Sequence, residues 1–343
     1  MMKIKLILLL SILFLSISCK DSDEEKDQPQ IVVTDNYHYE IPIIFHVLYQ
    51  NQNDPYQYVD KGRLSQIVAA CNKLYQSKLN ANGTDINIEF VMATVDPKGN
   101  TLSEPGVERI LWQTPVMDCE KFMETESATN AKLLWNVDQY INIMLYTFTD
   151  ENALGISHLP FTLTSNSLEG LNQTDRILNH SNLNFPYCVS INNSYLYDQS
   201  DDRIYRPTDI TVTLAHELGH YLGLLHAFSE GDDENTNLCQ DTDYCADTPT
   251  YNRSEYNIWR KGLSENEYIY NNLITRINCS GTKFISYNIM DYEVSKSNQF
   301  TQNQKERIRH VLAYSPLIPG PKKDRTKAYS QDGPMDLPIR TMK

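Results

Sequence analysis

The chain has 343 residues and a formal net charge of −14 at pH 7. This acidity excludes the basic surface that a nucleic-acid-binding protein uses, and after residue 18 no apolar run is long enough to cross a membrane as a helix. The length is sufficient for one large domain or for two lobes.

The first residues have the pattern of an export signal. A short basic region precedes an apolar run over residues 6–15, which is too short to span a bilayer. Small serines lie just before Cys19, and this order resembles a bacterial lipoprotein signal. We therefore predict a signal peptide over residues 1–18 and a lipid anchor at Cys19, with a plain secretory signal as the alternative.

Residues 19–35 are predicted to form a flexible acidic tether. The stretch KDSDEEKDQPQ has no apolar residue that could join a core. An acidic run directly after a lipidated cysteine also resembles the surface-export signal of Bacteroidetes lipoproteins, and a solvated linker that carries the same charges is the alternative. The protein is therefore predicted to be anchored in the bacterial outer membrane through Cys19 and exposed at the cell surface.

Strands and one helix alternate over the first half of the remaining chain. Strands are predicted over 39–50, 86–96 and 139–148, because β-branched and aromatic residues dominate or alternate there. Apolar residues at helical spacing predict a helix over 62–80. A short edge strand is predicted over 153–161. This order indicates an α/β (α+β) fold class.

The second half contains two predicted helices and irregular segments. Residues 206–228 are predicted to begin as a helix, and an irregular acidic stretch follows over 231–249. The last helix is predicted over 302–314. Residues 319–343 are predicted to form a polar tail, or a strap over the surface.

The stretch HELGHYLGLLH, which begins at His216, has the spacing of a metal site. His216 and His220 are four residues apart, so they share one helical face and can bind one metal. Glu217 lies beside the metal, where it can take a proton from a metal-bound water. Gly223 breaks the helix, so that His226 can approach as the third ligand. Three histidines that leave a fourth position open are typical of a catalytic zinc site.

The pattern HExxHxxGxxH, followed by a methionine turn, is the signature of the metzincins. The stretch NIMDY supplies the turn. Met290 would form the apolar floor beneath the histidines, and Tyr292 would stand near the metal and donate a hydrogen bond to an oxyanion. Because all five fixed positions of the zinc motif match, structural or merely exposed histidines are the less favoured interpretation.

More finely, the chain resembles the pappalysin family of metzincins, and within it the zinc-dependent metalloproteinase lipoproteins of Bacteroidetes. The resemblance spans residues 40–315. It is carried by IPIIFHVLY, IEFVMATVDPKGN, the zinc motif, CADTP, NIMDY and FTQNQKERIR.

The resemblance implies a two-lobed metzincin fold over residues 36–318. The upper lobe, 36–223, would hold a twisted mixed sheet and the active-site helix. The smaller, irregular lower lobe, 224–318, would hold the methionine turn. The predicted edge strand at ALGISHLPF would bind an extended peptide substrate antiparallel to itself.

The sequence departs from the family after the methionine turn. Some pappalysins carry an Asp-Cys pair there, and the aspartate helps them prefer a basic residue after the cut. Here Lys296 and Ser297 occupy the corresponding positions. The basic preference is therefore not carried over, and Lys296 could favour the opposite charge.

Seven cysteines are present, and an even number remains when Cys19 is set aside. An exported chain can form disulfides from them. The family resemblance favours one bridge in the lower lobe, which joins Cys279 with either Cys245 or Cys239.

The acidic loop 231–247 could bind Ca²⁺ through carboxylates and carbonyls, although it lacks the EF-hand spacing. A solvated loop pinned by disulfides is the alternative. The predicted partners are a protein or peptide substrate and, through Cys19, a membrane; no nucleic acid is expected, and the protein is expected to be a monomer.

The sequence therefore predicts a zinc-dependent endopeptidase that hydrolyses peptide bonds of extracellular proteins or peptides. The alternative is a non-catalytic surface adhesin or glycoprotein-binding lipoprotein built on a metzincin scaffold. The intact Glu217 argues against this alternative, because a binding module has no use for a general base.

Overall fold

The computed structural model describes residues 34, 36–201, 205–229, 239–323 and 332–343. The predicted signal peptide, the anchor at Cys19 and most of the predicted tether lie outside the described residues. The described residues belong to one compact unit. Within the described ranges, no helix has both the length and the apolar character needed to cross a membrane.

The described residues form twelve strands and eight α-helices. The strands are β1 (Tyr39–Tyr49), β2 (Ile88–Met92), β3 (Val107–Leu111), β4 (Val116–Met117), β5 (Ile141–Phe148), β6 (Gly155–His158), β7 (Thr162–Leu163), β8 (Gln173–Thr174), β9 (Val189–Asn192), β10 (Thr275–Ile277), β11 (Lys283–Ile285) and β12 (Thr341–Met342). The helices are α1 (Pro55–Tyr58), α2 (Arg63–Tyr75), α3 (Cys119–Glu124), α4 (Ala128–Ala131), α5 (Ile210–Tyr221), α6 (Arg253–Lys261), α7 (Tyr270–Leu273) and α8 (Gln302–Tyr314).

A mixed sheet forms the centre of this unit, with strand order β12-β6-β9-β5-β1-β2. The long strand β1 pairs in parallel with β5 on one side and, on the other, with β2 and then β3. Strand β9 is parallel to β5, whereas β6 runs antiparallel to β9. The predicted mixed α/β architecture is therefore confirmed.

Strand β1 is apolar along most of its length because both of its faces are buried. Helix α2 packs on α5, and the Tyr75 hydroxyl donates a hydrogen bond to the carbonyl oxygen of Ala215 at 2.9 Å. Cys71 lies on the buried face of α2 as a free thiol. Helix α5, which carries the zinc motif, also packs against strands β6 and β9 of the sheet.

Helix α2 ends at Tyr75, five residues before the predicted end. Gln76 caps it, and Ser77 has a left-handed backbone with φ +52°. The amide of Lys78 then donates to the carbonyl oxygen of Lys73, which closes the helix end. Apolar spacing indicated the helix but could not locate this left-handed turn.

Residues 332–343 pack against the domain. Met335 and Leu337 are buried, and Ile339 packs against the main core. The strand β12 that follows pairs antiparallel with β6. Apolar residues at every second position are the pattern of a half-buried extended segment, and this pattern explains the packing.

The structure pairs Cys239 with Cys279, with Cα atoms 5.4 Å apart. Of the two predicted alternatives, this is the one that does not involve Cys245, which is a buried free thiol. The bridge ties the chain that follows the zinc motif to the loop between β10 and β11.

Candidate active site

Helix α5 begins at Ile210 because Asp209 caps it. The Asp209 carboxylate accepts hydrogen bonds from the amides of Thr211 and Val212, at 2.8 and 3.3 Å. The amide of Ser200 donates to the other carboxylate oxygen of Asp209. The cap therefore fixes where the helix starts, and with it the rotation of the zinc motif.

The helix ends at a glycine turn that redirects the chain. Gly223 has φ +93°, and its amide donates to the carbonyl oxygen of His220 at 2.9 Å. The amide of Leu224 donates to the carbonyl oxygen of Gly219 at 2.9 Å, which completes a Schellman motif. A Cβ at Gly223 would approach Cγ2 of Val311 to 2.6 Å. Both the backbone angle and the space therefore require glycine.

This turn brings three histidines together. Nε2 of His220 lies 3.0 Å from Nε2 of His216 and 3.1 Å from Nε2 of His226. Nδ1 of His216 contacts the carbonyl oxygen of Ile289, and Nδ1 of His220 contacts that of Leu224, both at 2.8 Å. Because these Nδ1 atoms must donate, the neutral rings direct Nε2 lone pairs at one another.

The histidine cluster fits a zinc ion. Lone pairs about 3 Å apart repel unless a cation lies between them, and zinc binds imidazole nitrogen at about 2.0–2.1 Å. In the portion of the chain that the structure describes, His216, His220 and His226 form the one group of three or more ligating side chains that converges. The carbonyl partners of His216 and His220 orient the rings in the way typical of metal ligands.

Burial favours the neutral form of His220 and His226. Desolvation lowers the pKa of His220 well below its usual value, and the neighbouring His216 and His226 lower it further. Desolvation also lowers the pKa of His226, with smaller contributions from His216 and Arg253. Neutral imidazole is the form that binds a metal, so the apolar surroundings favour binding.

Glu217 is buried beside the cluster with an unsatisfied oxygen. Its exposed fraction is 3%, and desolvation raises its pKa well above the usual value. Oε2 has no hydrogen-bond partner in the structure. A buried carboxylate oxygen without a partner is costly, and a proton-carrying group of a bound water or substrate would satisfy it.

The predicted floor residue, Met290, lies fully buried against α5. A Cβ at Gly219 would approach Sδ of Met290 to 2.6 Å, so the glycine allows the methionine to pack closely under the histidines. The Met290 carbonyl oxygen accepts the amide of Ala227 at 3.0 Å. Asn288 accepts the amide of Met290 at 2.9 Å.

Asp291 holds the methionine turn through hydrogen bonds of its buried carboxylate. The sequence did not indicate this role. The Asp291 carboxylate accepts hydrogen bonds from the hydroxyls of Tyr251 and Ser286 and from Arg276. The Arg276 and Asp291 side chains are 0% and 2% exposed. Asp291 was visible between the methionine and the tyrosine of NIMDY, but no local pattern pointed to a buried arginine partner 15 residues earlier.

The Tyr292 ring packs against two of the clustered histidines, His216 and His226. Its ring centroid is 4.1 Å from that of His226. The guanidinium carbon of Arg253 lies over the Tyr292 ring, 4.6 Å from its centroid. Arg253 is itself held by Glu293, with Nε to Oε1 at 3.0 Å. No local sequence pattern indicated a role for Arg253.

Two further predicted features are Lys296, which the structure describes, and the acidic loop 231–247, which it describes only in part. Lys296 is exposed, and its Nζ lies 5.0 Å from the ring centroid of Tyr287. The acidic loop is described only over residues 239–247, where no group of three ligating side chains converges. Residues 231–238 of that loop lie outside the described residues.

Comparison with known proteins agrees with this site. The Peptidase_M43 family model, described as pregnancy-associated plasma protein-A, matches residues 124–313, more than half of the chain. The chain therefore belongs to this family. No curated protein sequence is significantly similar to it.

Solved structures of mirolysin share the fold. Mirolysin in complex with compound 9 aligns with a TM-score of 0.52 and 24% identity, covering 80% of this chain and 92% of that one. A promirolysin mutant from Tannerella forsythia aligns with a TM-score of 0.50 and 24% identity, covering 80% and 81%. At this identity the likeness establishes the fold alone. Family and fold together identify a zinc metalloendopeptidase of the metzincin type.

Proposed function

We propose that this metalloendopeptidase cleaves extracellular proteins or peptides with Glu217 as its general base. The observation that carries the proposal is the unpartnered, buried Oε2 of Glu217 beside three histidines whose Nε2 atoms converge. A binding module has no reason to keep a desolvated carboxylate at such a position, because burial without a partner destabilises the fold.

The chain supplies each part of the reaction. His216, His220 and His226 would hold the zinc ion, which supplies Lewis acidity toward water and the substrate carbonyl. Glu217 accepts the proton of the attacking water on Oε2 and later delivers it to the leaving amine. The raised pKa of Glu217 suits this role, since a more basic carboxylate holds the proton between the two steps.

Tyr292 is the proposed donor to the oxyanion. Its ring lies against His226, and its hydroxyl would donate a hydrogen bond to the tetrahedral oxygen. Arg253 stacks on the Tyr292 ring and is fixed by Glu293, so it acts as a positioning residue. We propose that an extended peptide substrate binds along strand β6, which forms the rim of the active site, because Gly155 at the start of β6 contacts Glu217.

Several finer features are part of the proposal. We propose that the protein is a monomer, lipid-anchored at Cys19 in the outer membrane and exposed at the cell surface, with an acidic tether over residues 19–35. We also propose two lobes that divide near Gly223. Calcium binding by the loop 231–247 is retained as a proposal, supported by its density of carboxylates.

The test is cleavage of a proteome-derived peptide library by the parent protein and by its Glu217→Ala variant. Cut sites are identified by mass spectrometry, and zinc content is measured in parallel. Cuts made by the parent alone, at equal zinc content, support the proposal. A parent that binds zinc, cuts no peptide and retains host glycoproteins would instead favour the adhesin alternative.

A further inference from the structure

The outer side of β6 is occupied by the chain itself. Strand β12 pairs antiparallel with β6, with Thr341 opposite His158 and Met342 opposite Ser157. The amide of Leu159 donates to the carbonyl oxygen of Arg340 at 3.0 Å. The sequence predicted an edge strand here, but over these residues β6 is covered by the segment 332–343, which we call the strap.

Among the described residues, the backbone pattern shows which outward-facing groups of β6 pair with the strap. Leu154 accepts the amide of Asn192, and the amide of His158 donates to Cys188, so residues 154, 156 and 158 face β9. Residues 155, 157 and 159 therefore face outward. The outward-facing backbone groups of Ser157 and Leu159 pair with the strap. The outward-facing backbone groups of Gly155 lie past the last β6 residue that pairs with the strap.

Gly155 is the position next to the proposed general base. A Cβ there would approach Cγ of Glu217 to 2.5 Å and Oε1 to 2.7 Å. A peptide that reaches the site along β6 must therefore place its scissile bond near Gly155. The strap runs toward the same point, because its register continues from His158 toward Gly155.

The strap is built into the domain by side chains as well as by backbone pairing. Met335 and Leu337 are buried. The Thr341 hydroxyl donates to Glu124 at 2.6 Å. Lys343 forms ion pairs through Nζ with Glu120 at 3.1 Å and with Asp150 at 3.0 Å. These contacts indicate that the strap is held firmly against the domain.

We propose that the strap limits the residues a substrate can place on the amino-terminal side of its scissile bond. A peptide antiparallel to β6 runs in the same direction as β12, so its residues before the cut would need the edge that Arg340 and Met342 occupy. Substrates with few residues before the scissile bond are therefore preferred. Substrates with more residues there must either bend away from β6 or displace the strap. This inference rests on the proposed protease function.

The test uses the full chain and its Met342→Pro variant. The carbonyl oxygen of Arg340 accepts the amide of Leu159 in β6. Backbone groups that face the same neighbour recur at every second residue, so the amide of Met342 also faces β6. Proline at 342 removes an amide from this pairing and weakens the strap. Two peptides share one cut sequence taken from the library, with about two or about eight residues before the cut. We expect the ratio of kcat/KM for the long peptide over the short one to rise about tenfold.

Matched variants separate strand pairing from other effects. Thr341→Pro introduces the same ring where the amide faces away from β6, so its ratio should stay within about twofold of the parent; Thr341→Val controls for the lost hydroxyl. Lys343→Glu places a like charge beside Glu120 and Asp150 and should raise the ratio without a proline. It keeps the test valid if Met342→Pro fails to fold.

Equal ratios for the parent, Met342→Pro and Lys343→Glu would overturn the strap proposal while leaving the protease intact. If no protein cuts any peptide, the proposed function fails instead. The strap is then judged by the binding of the long peptide, fluorescently labelled, in an anisotropy titration. Tighter binding by the two loosened variants supports it, and equal binding contradicts it.

Discussion

Glu217 and Gly155 are in direct contact across the active site. The Glu217 carboxylate passes so close to the β6 backbone that a Cβ at Gly155 would approach its Cγ to 2.5 Å. The strand therefore fixes the side-chain rotamer of the proposed general base, and the absence of a side chain at residue 155 is a requirement of the site.

Gly155→Ala is expected to displace Glu217 without removing any metal ligand. A shift of about 1 Å in a catalytic group can cost about 10²-fold in rate, so kcat should fall by that order while zinc content is unchanged. The measurement is kcat on the best library peptide together with metal analysis. Gly262→Ala is the control, because a Cβ there meets nothing closer than 3.5 Å; an equal loss in both variants would contradict the steric argument.

The Tyr292→Phe variant tests the oxyanion donor. Loss of one such donor typically lowers kcat by about 10²–10³-fold, and KM should change little because the donor acts in the transition state. Steady-state kinetics separate the two constants. Tyr270→Phe is the matched control, since Tyr270 is 37% exposed and Tyr292 is 36% exposed. A normal kcat for Tyr292→Phe would exclude the hydroxyl from the reaction.

The Arg276–Asp291 ion pair is expected to hold the methionine turn. Arg276→Met leaves the buried Asp291 carboxylate without its charged partner, which typically costs about 3–5 kcal/mol. Urea unfolding of the zinc-loaded protein measures the loss. Lys121→Met removes a pair with Asp118 whose side chains are 82% and 42% exposed, and it should change stability by less than about 1 kcal/mol. Similar losses in both variants would mean that burial does not decide the effect.

His158 is expected to make the domain sensitive to acid. Burial lowers its pKa from 6.5 to about 4, and its Nε2 donates to the carbonyl oxygen of Met123 in the neutral form. Between pH 6.5 and 4 the unfolded chain binds the proton and the folded chain does not, so the stabilising contribution is present above pH 6.5 and is lost as the pH falls. The loss is roughly 3 kcal/mol.

The His158→Gln variant isolates this contribution. The free energy of unfolding is measured in urea at pH 7.5 and 4.5, and the drop between the two should be smaller in the variant than in the parent by roughly 2–3 kcal/mol. His38→Gln, at an exposed histidine, should keep the parent's drop. The same drop in all three proteins would show that His158 does not titrate in this range.

The parts of the fold that local sequence encodes were predictable. Helix α8 runs from Gln302 to Tyr314, the predicted bounds, because Thr301 and Gln304 form a capping box at its start. The zinc motif was visible because its spacing is set by one helix and one glycine turn. Each of these features depends on residues close together in the chain.

Features that depend on distant residues were not predictable. Strand β12 pairs with a strand more than 180 positions earlier, and its two residues carry no pattern that names the partner. Arginine is a residue type usually found at the surface, yet Arg276 is fully buried because the Asp291 carboxylate compensates its charge. Arg253 is placed on Tyr292 by the fold of the chain between the zinc motif and the methionine turn.

The most direct test of the central claim compares the parent with Glu217→Gln at one bound zinc per chain. Glutamine keeps the size and polarity of the side chain but cannot accept the proton of the attacking water. We predict that zinc affinity and melting temperature are retained while kcat on the best library peptide falls by about 10²–10⁴-fold. A variant that keeps the parent's kcat at full zinc content would contradict the role of Glu217 as the general base.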